Sequence, residues 1–313
     1  MLKQIIDIFE LLDRPDAGAE AIREYLADTG KCDVEINKLT GDKGSTDHIR
    51  IVIPGSTGRL GGGDSRTMGI IGRLGGLGAR PEIIGFVSDG DGALTALSAA
   101  AKLARMALLG DQLAGDLVIS THICPDAPTR PHDPVPMMGS PVTVEAMNEA
   151  EVSADMEAIL SIDATKGNRV INALGFAISP TVKEGYILKV SNDILDIMSR
   201  VTGRLPVVFP LSQQDITPYG NDLGHINSIL QPAVATAAPV IGVAITAEVP
   251  VAGCATGASR LTDVEAAARF AIEVAKDYTA GQCQFHDAEE FARMTALYGD
   301  MTIFQSTPKI SSS

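Results

Sequence analysis

The sequence predicts a three-layer α/β sandwich around a mostly parallel central sheet, formed by a single domain over residues 1–313. Short apolar runs alternate with longer amphipathic or alanine-rich segments, an order typical of strands joined by helices. Hydrophobic residues make up 45% of the chain, but aromatic residues make up only 4% and Trp is absent. A core of Ala, Val, Ile and Leu, with 31 glycines, suits helices packed closely against a parallel sheet.

The composition disfavours several classes of function. The formal net charge of −14 disfavours binding to nucleic acid or to an anionic membrane surface, because both partners need basic faces. The sequence shows no signal-peptide pattern and no apolar stretch long enough to cross a bilayer. Its 4 cysteines are too sparse for a disulfide scaffold. We therefore expect a cytoplasmic homo-oligomer that acts on a small-molecule or peptide substrate.

Residues 1–45 are predicted to form a helical and strand extension of the domain. Apolar residues at helical spacing indicate two amphipathic helices within residues 1–29, separated at Pro15. Asp16 is a candidate N-cap for the second helix. Residues 32–39 alternate between apolar and polar side chains and predict the first strand.

The same patterns predict further strands and helices along the rest of the chain. Strands are expected at residues 49–53, 83–87, 117–119, 161–165, 170–178, 186–190, 206–210 and 239–245. Helices are expected at residues 93–109, 193–201, 226–231 and 263–278. The polar tail over residues 305–313 is expected to be disordered.

A glycine-rich turn follows the strand at residues 49–53. Gly55, Gly58 and Gly61 give the spacing GxxGxxG, and such a turn can direct backbone N–H groups at an anion. The turn resembles the first turn of certain nicotinamide-dependent reductases, in which an acid after the second strand, here Asp89, meets the cofactor ribose. An NAD(P)-dependent reductase is therefore one alternative, although a tight turn can need glycine for its backbone conformation alone.

The loop after the strand at residues 117–119 concentrates side chains that can bind metals or transfer protons. It contains His122, Cys124, Asp126 and His132, and six prolines between residues 125 and 141 predict that it forms neither helix nor ladder strand. In an open α/β sheet, ligands bind just beyond the carboxyl ends of the strands. The loop is therefore a candidate site, and the alternative is a proline-stiffened surface loop whose histidines bond carbonyl groups.

Acids, histidines or cysteines recur at the ends of successive predicted strands. The series comprises Asp89, Asp91, His122, Cys124, Asp126, Asp163, Asp222, His225 and Cys254. Because the carboxyl ends of parallel strands meet at one edge of a sheet, the series predicts a site at that edge. Alternatively, the acid at the start of the helix at residues 93–109 favours the helix dipole, and Asp222 with His225 forms an ordinary pair at a helix N-terminus.

Several motifs occur in the order found in a known enzyme superfamily. They are SDGDG at residues 88–92 before a helix, GDQLAGD at 110–116, SIDAT at 161–165, YGNDLGH at 219–225 and LTDVEAA at 261–267. In this order the chain resembles the two-zinc aminopeptidase and carboxypeptidase superfamily, particularly the tetrahedral aminopeptidases. The resemblance implies a fold like that of the zinc exopeptidases. The whole chain also resembles a bacterial family of uncharacterised proteins, which implies no function.

The resemblance implies a zinc site with carboxylate and thiolate ligands. The implied ligands are Asp89 or Asp91, Asp126, Asp163 and Cys254, with His122 and Cys124 in reserve. Asp222 and His225 are the implied substrate-binding residues. The superfamily's catalytic glutamate, its last histidine ligand and its first HxD motif are absent here, so Asp126 or His132 is the implied general base.

These residues favour a metal-dependent hydrolase that cleaves an amide bond in a small peptide or an acylated amino acid. A bound metal would lower the pKa of its water molecule and polarise the substrate carbonyl. Two alternatives stay open at this point. One is the reductase that uses the glycine-rich turn. The other is a non-catalytic peptidase-like protein that binds a small ligand or assembles with itself.

Overall fold

A computed structural model describes residues 1–73, 75–78, 85–133, 135–226, 228–253 and 255–307 of the chain. The strands are β1 (Asp33–Gly41), β2 (Gly44–Ile53), β3 (Met68–Gly72), β4 (Leu117–Ile123), β5 (Thr129–Arg130), β6 (Met137–Met138), β7 (Ala158–Ala164), β8 (Gly175–Ile178), β9 (Val182–Lys183), β10 (Tyr186–Ile187) and β11 (Val240–Thr246). The helices are α1 (Leu2–Leu12), α2 (Ala19–Thr29), α3 (Asp91–Leu108), α4 (Val144–Glu151), α5 (Asn192–Thr202), α6 (Leu261–Thr279) and α7 (Ala288–Tyr298).

The described residues form a mixed α/β fold around one nine-stranded sheet. The strand order is β1-β2-β4-β3-β7-β11-β9-β10, and β8 pairs with β11 outside this path. The central strands β4, β3, β7 and β11 are parallel, whereas the flanking pairs are antiparallel. The mostly parallel centre expected from the sequence is confirmed. Its carboxyl ends form one edge of the sheet, which is where ligands bind in folds of this class.

Helices cover one face of the sheet. The larger apolar core lies between this face and α1, α2, α3, α5 and α6, and it includes Leu97, Ile119 and Phe270. The opposite face carries a smaller core with Val118, Ile159 and residues of the segment 209–234. Adjacent residues of a strand face opposite sides, so β4 contributes to both cores.

Local sequence explains the main elements. The central strands are apolar on both faces because both faces are covered, and every residue of β11 is buried. Helix α3 is rich in alanine, which packs closely, and it begins with an acid that favours the helix dipole. Helix α5 ends at Gly203, which adopts the left-handed conformation with φ of 67°.

Some sequence predictions differ from the observed elements. The prediction that the loop at 125–141 contains no ladder strand is wrong, because the two-residue strands β5 and β6 pair within it. Neither strand contains a proline. Residues 206–210 form an isolated bridge at Val208 rather than a strand. The described residues of 226–231 are not α-helical. Asp16 does not cap α2, since Gly18 is the N-cap and Asp47 Oδ2 accepts from the N–H of Ala19 at 3.3 Å.

Other predictions fall partly outside the described residues. Of the strand predicted at residues 83–87, residues 83–84 lie outside the described residues, and residues 85–87 have no strand structure. The predicted tail begins at Gln305, whose side chain donates to the carbonyls of Ala233 and Thr236 at 2.7 Å each, whereas residues 308–313 lie outside the description. None of the described helices is both long and apolar enough to span a bilayer.

Candidate active site at the carboxyl edge of the sheet

A row of buried polar side chains crosses the sheet near its carboxyl edge. His48 of β2 lies opposite His122 of β4 in the antiparallel register. Arg73 directly follows β3, and the pairing of β3 with β4 and β7 places it between His122 and Asp163. The exposed fractions of His48, His122 and Asp163 are 2% each, and that of Arg73 is 0%. Four polar side chains in one buried row are costly unless they have partners, so their contacts indicate what the row can do.

Helix α4 supplies acceptors to this row. Glu151 contacts the Arg73 guanidinium through one oxygen, and its other oxygen lies 3.0 Å from His122 Nε2. Asn148 Oδ1 accepts from Arg73 Nη1 at 3.3 Å. Burial alone would raise the pKa of Glu151, but the charges of Arg73 and His122 outweigh burial and lower it. Glu151 is therefore an ionised acid held between two basic side chains.

Asp163 is the buried carboxyl group at the end of the row. Its Oδ2 accepts from Ser228 Oγ at 2.6 Å, and its Oδ1 accepts from the N–H of Ala164 at 2.7 Å. Burial raises the pKa of Asp163 to about 6, although the Ser228 hydrogen bond and the charge of Arg73 oppose the increase. A carboxyl group with a pKa close to neutral pH can both accept and donate a proton in the physiological range.

The predicted substrate-binding pair separates in the structure. The ring of His225 packs on Tyr219 with the ring centroids 4.5 Å apart, and its Nε2 lies 3.2 Å from Thr217 Oγ1. Burial and the charge of Asp163 raise the pKa of Tyr219, so the Tyr219 hydroxyl group is close enough to the row to feel the Asp163 charge. Asp222 is exposed and has a positive φ of 62°. His225 therefore packs on Tyr219 and Thr217, whereas Asp222 lies in an exposed turn.

A second buried ion pair lies at the start of α3. Lys166 Nζ contacts Asp91 Oδ2, and Ser259 Oγ donates to Asp91 Oδ1. The side chain of Asp91 is fully buried and that of Lys166 is 6% exposed. Asp91 is therefore neutralised by a cation from the chain itself.

Three of the predicted metal ligands line one small cavity. Asp89, His122 and Cys124 border a space of about 20 Å³, closed on another side by Met147 of α4. A cavity of this size holds about one water molecule. Burial raises the pKa of the Cys124 thiol to about 11, so without a bound cation the thiol is protonated at neutral pH.

The remaining predicted residues lie elsewhere. Asp126 and His132 are exposed, and His132 Nδ1 lies 3.2 Å from the carbonyl of Val135. Neither of them borders the small cavity. Cys254 lies outside the described residues.

The described residues do not fit a zinc centre. Within the described ranges, no group of three or more His, Cys, Asp or Glu side chains is arranged to hold a metal ion. The physical reason is visible at two of the acids, because Arg73 neutralises Glu151 and Lys166 neutralises Asp91. Guanidinium and ammonium groups thus occupy the positions from which these carboxylates could contact a cation.

The glycine-rich turn lies at the opposite edge of the sheet, since β2 ends beside Leu117 at the start of β4. Two of its backbone N–H groups are occupied by one carboxylate: Asp116 accepts from Gly55 N at 2.8 Å and from Leu60 N at 2.7 Å. A Cβ at Gly58 would lie 2.0 Å from Asp116 Oδ1. No α-helix follows the turn, because Gly61 ends a short 3₁₀ helix. A phosphate here would meet the Asp116 carboxylate, which already accepts from two N–H groups of the turn, so the turn is poorly suited to bind the anion of a reductase cofactor.

Sequence reasoning missed two members of the row, His48 and Arg73, and three residues that contact it: Asn148, Glu151 and Ser228. The one local signal is at Arg73, a charged residue directly after the apolar run MGIIG. Such a position predicts a buried charge that needs a partner. The partner lies 78 residues later, and spacing does not reveal it.

Comparisons with known proteins identify a family. The chain is similar in structure to a leucine aminopeptidase of Caenorhabditis elegans, with 13% sequence identity and a TM-score of 0.48. The match covers 88% of this chain and 66% of the enzyme, so this chain spans less than two thirds of the enzyme's length. No curated protein sequence matches the chain. A family model described as a protein of unknown function, DUF1177, matches residues 37–308, and the chain belongs to this family.

Proposed function

We propose that the protein is a metal-independent hydrolase that cleaves an amide bond in a small peptide or an acylated amino acid. The observation that carries the proposal is the hydrogen bond from Ser228 Oγ to Asp163 Oδ2, 2.6 Å long. The Ala164 N–H holds the other oxygen of the carboxylate. A hydroxyl group, a base within hydrogen-bond reach and a third group that orients the base are the elements of nucleophilic catalysis.

The reaction follows from these contacts. Ionised Asp163 takes the proton of Ser228 while Oγ attacks the carbonyl carbon of the amide. Protonated Asp163 then gives this proton to the leaving nitrogen, so that an amine departs and an acyl ester remains on Ser228. Water, deprotonated by Asp163, hydrolyses the ester and regenerates the hydroxyl group. The products are one carboxylic acid and one amine.

The position of the pair supports this assignment. Asp163 lies near the carboxyl end of β7, at the edge where α/β folds bind ligands. Ser228 is 8% exposed and Asp163 is 2% exposed, so Ser228 is the more accessible residue of the pair. The reaction needs the nucleophile on the more accessible side of the pair and the base on the more buried side.

Release of amine from N-acetylated amino acids and dipeptides tests the proposal. We expect Ser228→Ala and Asp163→Asn each to lower kcat/KM by about 100-fold or more. The matched control is Ser161→Ala. Ser161 is a buried serine on β7, the strand of Asp163, but its hydroxyl group donates to the Ile229 carbonyl and not to Asp163. The wild-type rate should rise with pH through about 6, where Asp163 ionises.

Three outcomes would overturn the proposal. Full activity in Ser228→Ala would exclude this nucleophile. Activity that is lost in chelator and restored by zinc would instead support the metal-dependent hydrolase predicted from the sequence. Tight binding of these compounds without amine release would support the non-catalytic binding protein.

A further inference from the structure

We propose that Arg73 is the receptor for a free carboxylate group of the ligand, so that the site selects molecules ending in a carboxylate. The choice of amides as ligands rests on the function proposed above, but the role of Arg73 does not require turnover. The inference depends on the unused hydrogen-bond donors of one buried side chain.

The contacts of Arg73 use one corner of its guanidinium. Both Glu151 and Asn148 are contacted through Nη1. The Nε and Nη2 atoms are buried and have no hydrogen-bond partner among the described residues. A guanidinium presents its donors in a fixed planar fork, and the Nε and Nη2 hydrogens point side by side along one edge.

This free edge matches a carboxylate. Two parallel N–H···O bonds from a guanidinium to one carboxylate are stronger and more directional than a single bond to a neutral acceptor. A buried N–H without an acceptor costs free energy, which a ligand with two acceptor oxygens would recover. Glu151 holds the guanidinium in place and leaves this edge unused, so it is a positioning residue.

The neighbours of Arg73 are consistent with this role. The side chain lies next to Asp163 in the row, so a ligand held by Arg73 would be beside the proposed acid–base group. His48 and His122 lie in the same row, on the other side of Arg73 from Asp163. Acylated amino acids and short peptides carry a carboxylate a few bonds from their amide, so a carboxylate on Arg73 would bring the amide towards the neighbouring strand.

Binding requires the cover of the site to move. Arg73 is 0% exposed, and α4 lies over it. Helix α4 has only eight residues, and polar contacts of Asn148 and Glu151 connect its last turn to the row and to the Gln231 carbonyl. We infer that α4 shifts to admit the carboxylate while the sheet stays in place.

Calorimetry with matched ligand pairs tests the inference on the full chain. The probes are the N-acetyl derivatives of glycine, alanine, leucine and glutamate, each compared with its α-amide, which lacks the α-carboxylate. For at least one pair we expect the acid to bind about tenfold or more tightly than the amide. Arg73→Lys should remove this preference, because lysine keeps the charge but lacks the planar fork. Arg59→Lys is the matched control, since Arg59 is an exposed arginine paired with Glu157.

If Arg73→Lys does not fold, NMR of the wild-type arginine side chains replaces it. The Nε–H signal of Arg73 should shift with the acid and not with its amide. Equal affinity for acid and amide, no binding of any pair, or a bound acid that leaves this signal unchanged would each overturn the inference. Acid-selective binding without amine release would keep Arg73 as the receptor and overturn the hydrolase. Equal cleavage of acid and amide substrates would keep the hydrolase and overturn Arg73 as the carboxylate receptor.

Discussion

Glu151, the last residue of α4, contacts the Arg73 guanidinium, and neither side chain is exposed to solvent. The contact joins a helix on one face of the sheet to the end of a central strand. Removing one partner of a buried ion pair leaves the other charge without compensation, whereas replacing both partners with apolar groups does not. The pair is therefore expected to determine both the position of α4 and a large part of the local stability.

Replacing Glu151 with glutamine tests this expectation. Glu151→Gln should lower the free energy of unfolding by about 3 kcal/mol, because the buried charge of Arg73 loses its counter-charge. Urea unfolding followed by circular dichroism measures the change. The double variant Arg73→Met with Glu151→Leu is the control and should lose clearly less stability. A loss below about 1 kcal/mol in Glu151→Gln would show that solvent reaches Arg73.

Replacing Asp163 with asparagine should change stability in a pH-dependent way. The pKa of Asp163 in the folded protein is raised to about 6 from an ordinary 3.8, so the folded state disfavours its ionised form. The wild type therefore has its full stability below about pH 4 and loses part of it as pH rises through 6. Asp163→Asn avoids this loss and keeps an acceptor for Ser228. We expect it to be more stable than the wild type by at most about 3 kcal/mol at pH 8 and equal at pH 4.

Chemical denaturation at both pH values measures this difference, and Asp126→Asn is a suitable control because Asp126 is exposed. A difference of the same size at pH 4 and pH 8 would contradict a raised pKa at Asp163.

The glycine-rich turn offers a matched pair of substitutions. Gly58→Ala would place a Cβ 2.0 Å from Asp116 Oδ1, whereas a Cβ at Gly61 would meet no atom within 4 Å. We expect Gly58→Ala to lower the free energy of unfolding by about 3 kcal/mol and to speed amide hydrogen exchange at Gly55 and Leu60. Gly61→Ala should leave both measurements almost unchanged. Equal effects in the two variants would show that the Asp116 carboxylate does not hold this turn.

Chelation tests whether the strand-end acids depend on a metal. Because Arg73 and Lys166 already neutralise Glu151 and Asp91, we expect dialysis against EDTA to leave Tm within about 1 °C and added zinc to leave it unchanged. Calorimetric scans with matched buffers measure both. A protein that retains one or two equivalents of zinc through purification would contradict this expectation. The strand-end acids would then bind a metal together with residues outside the described ranges.

Much of the fold could be predicted because it depends on local patterns. The apolar runs at β7 and β11 and the amphipathic run at α6 occur within a few residues of their predicted limits. The strand β3 was missed because its run MGIIG contains two glycines, which weaken a strand signal. The short helix α4 was missed because its pattern spans only eight residues. Element type is therefore best predicted where periodicity is long.

The candidate site was predictable only in its location. Strand-end reasoning identified Asp163, His122 and Asp91, and all three lie near the carboxyl edge. The partners of these residues come from distant parts of the chain. For example, Ser228 lies 65 residues after Asp163, and Lys166 lies 75 residues after Asp91. Whether an acid binds a metal or a cation of the protein depends on these partners.

Composition and periodicity act over neighbouring residues, so the amino-acid sequence alone predicts an acidic α/β chain with a parallel centre and polar residues at successive strand ends. The folded chain is needed to see that Arg73, Glu151 and Asp163 share one buried region and that Asp116 occupies the glycine-rich turn. These contacts are invisible in the sequence because a buried charge takes its partner from whichever residues are near in space. In a sheet with crossover connections, that proximity is set by strand order and register.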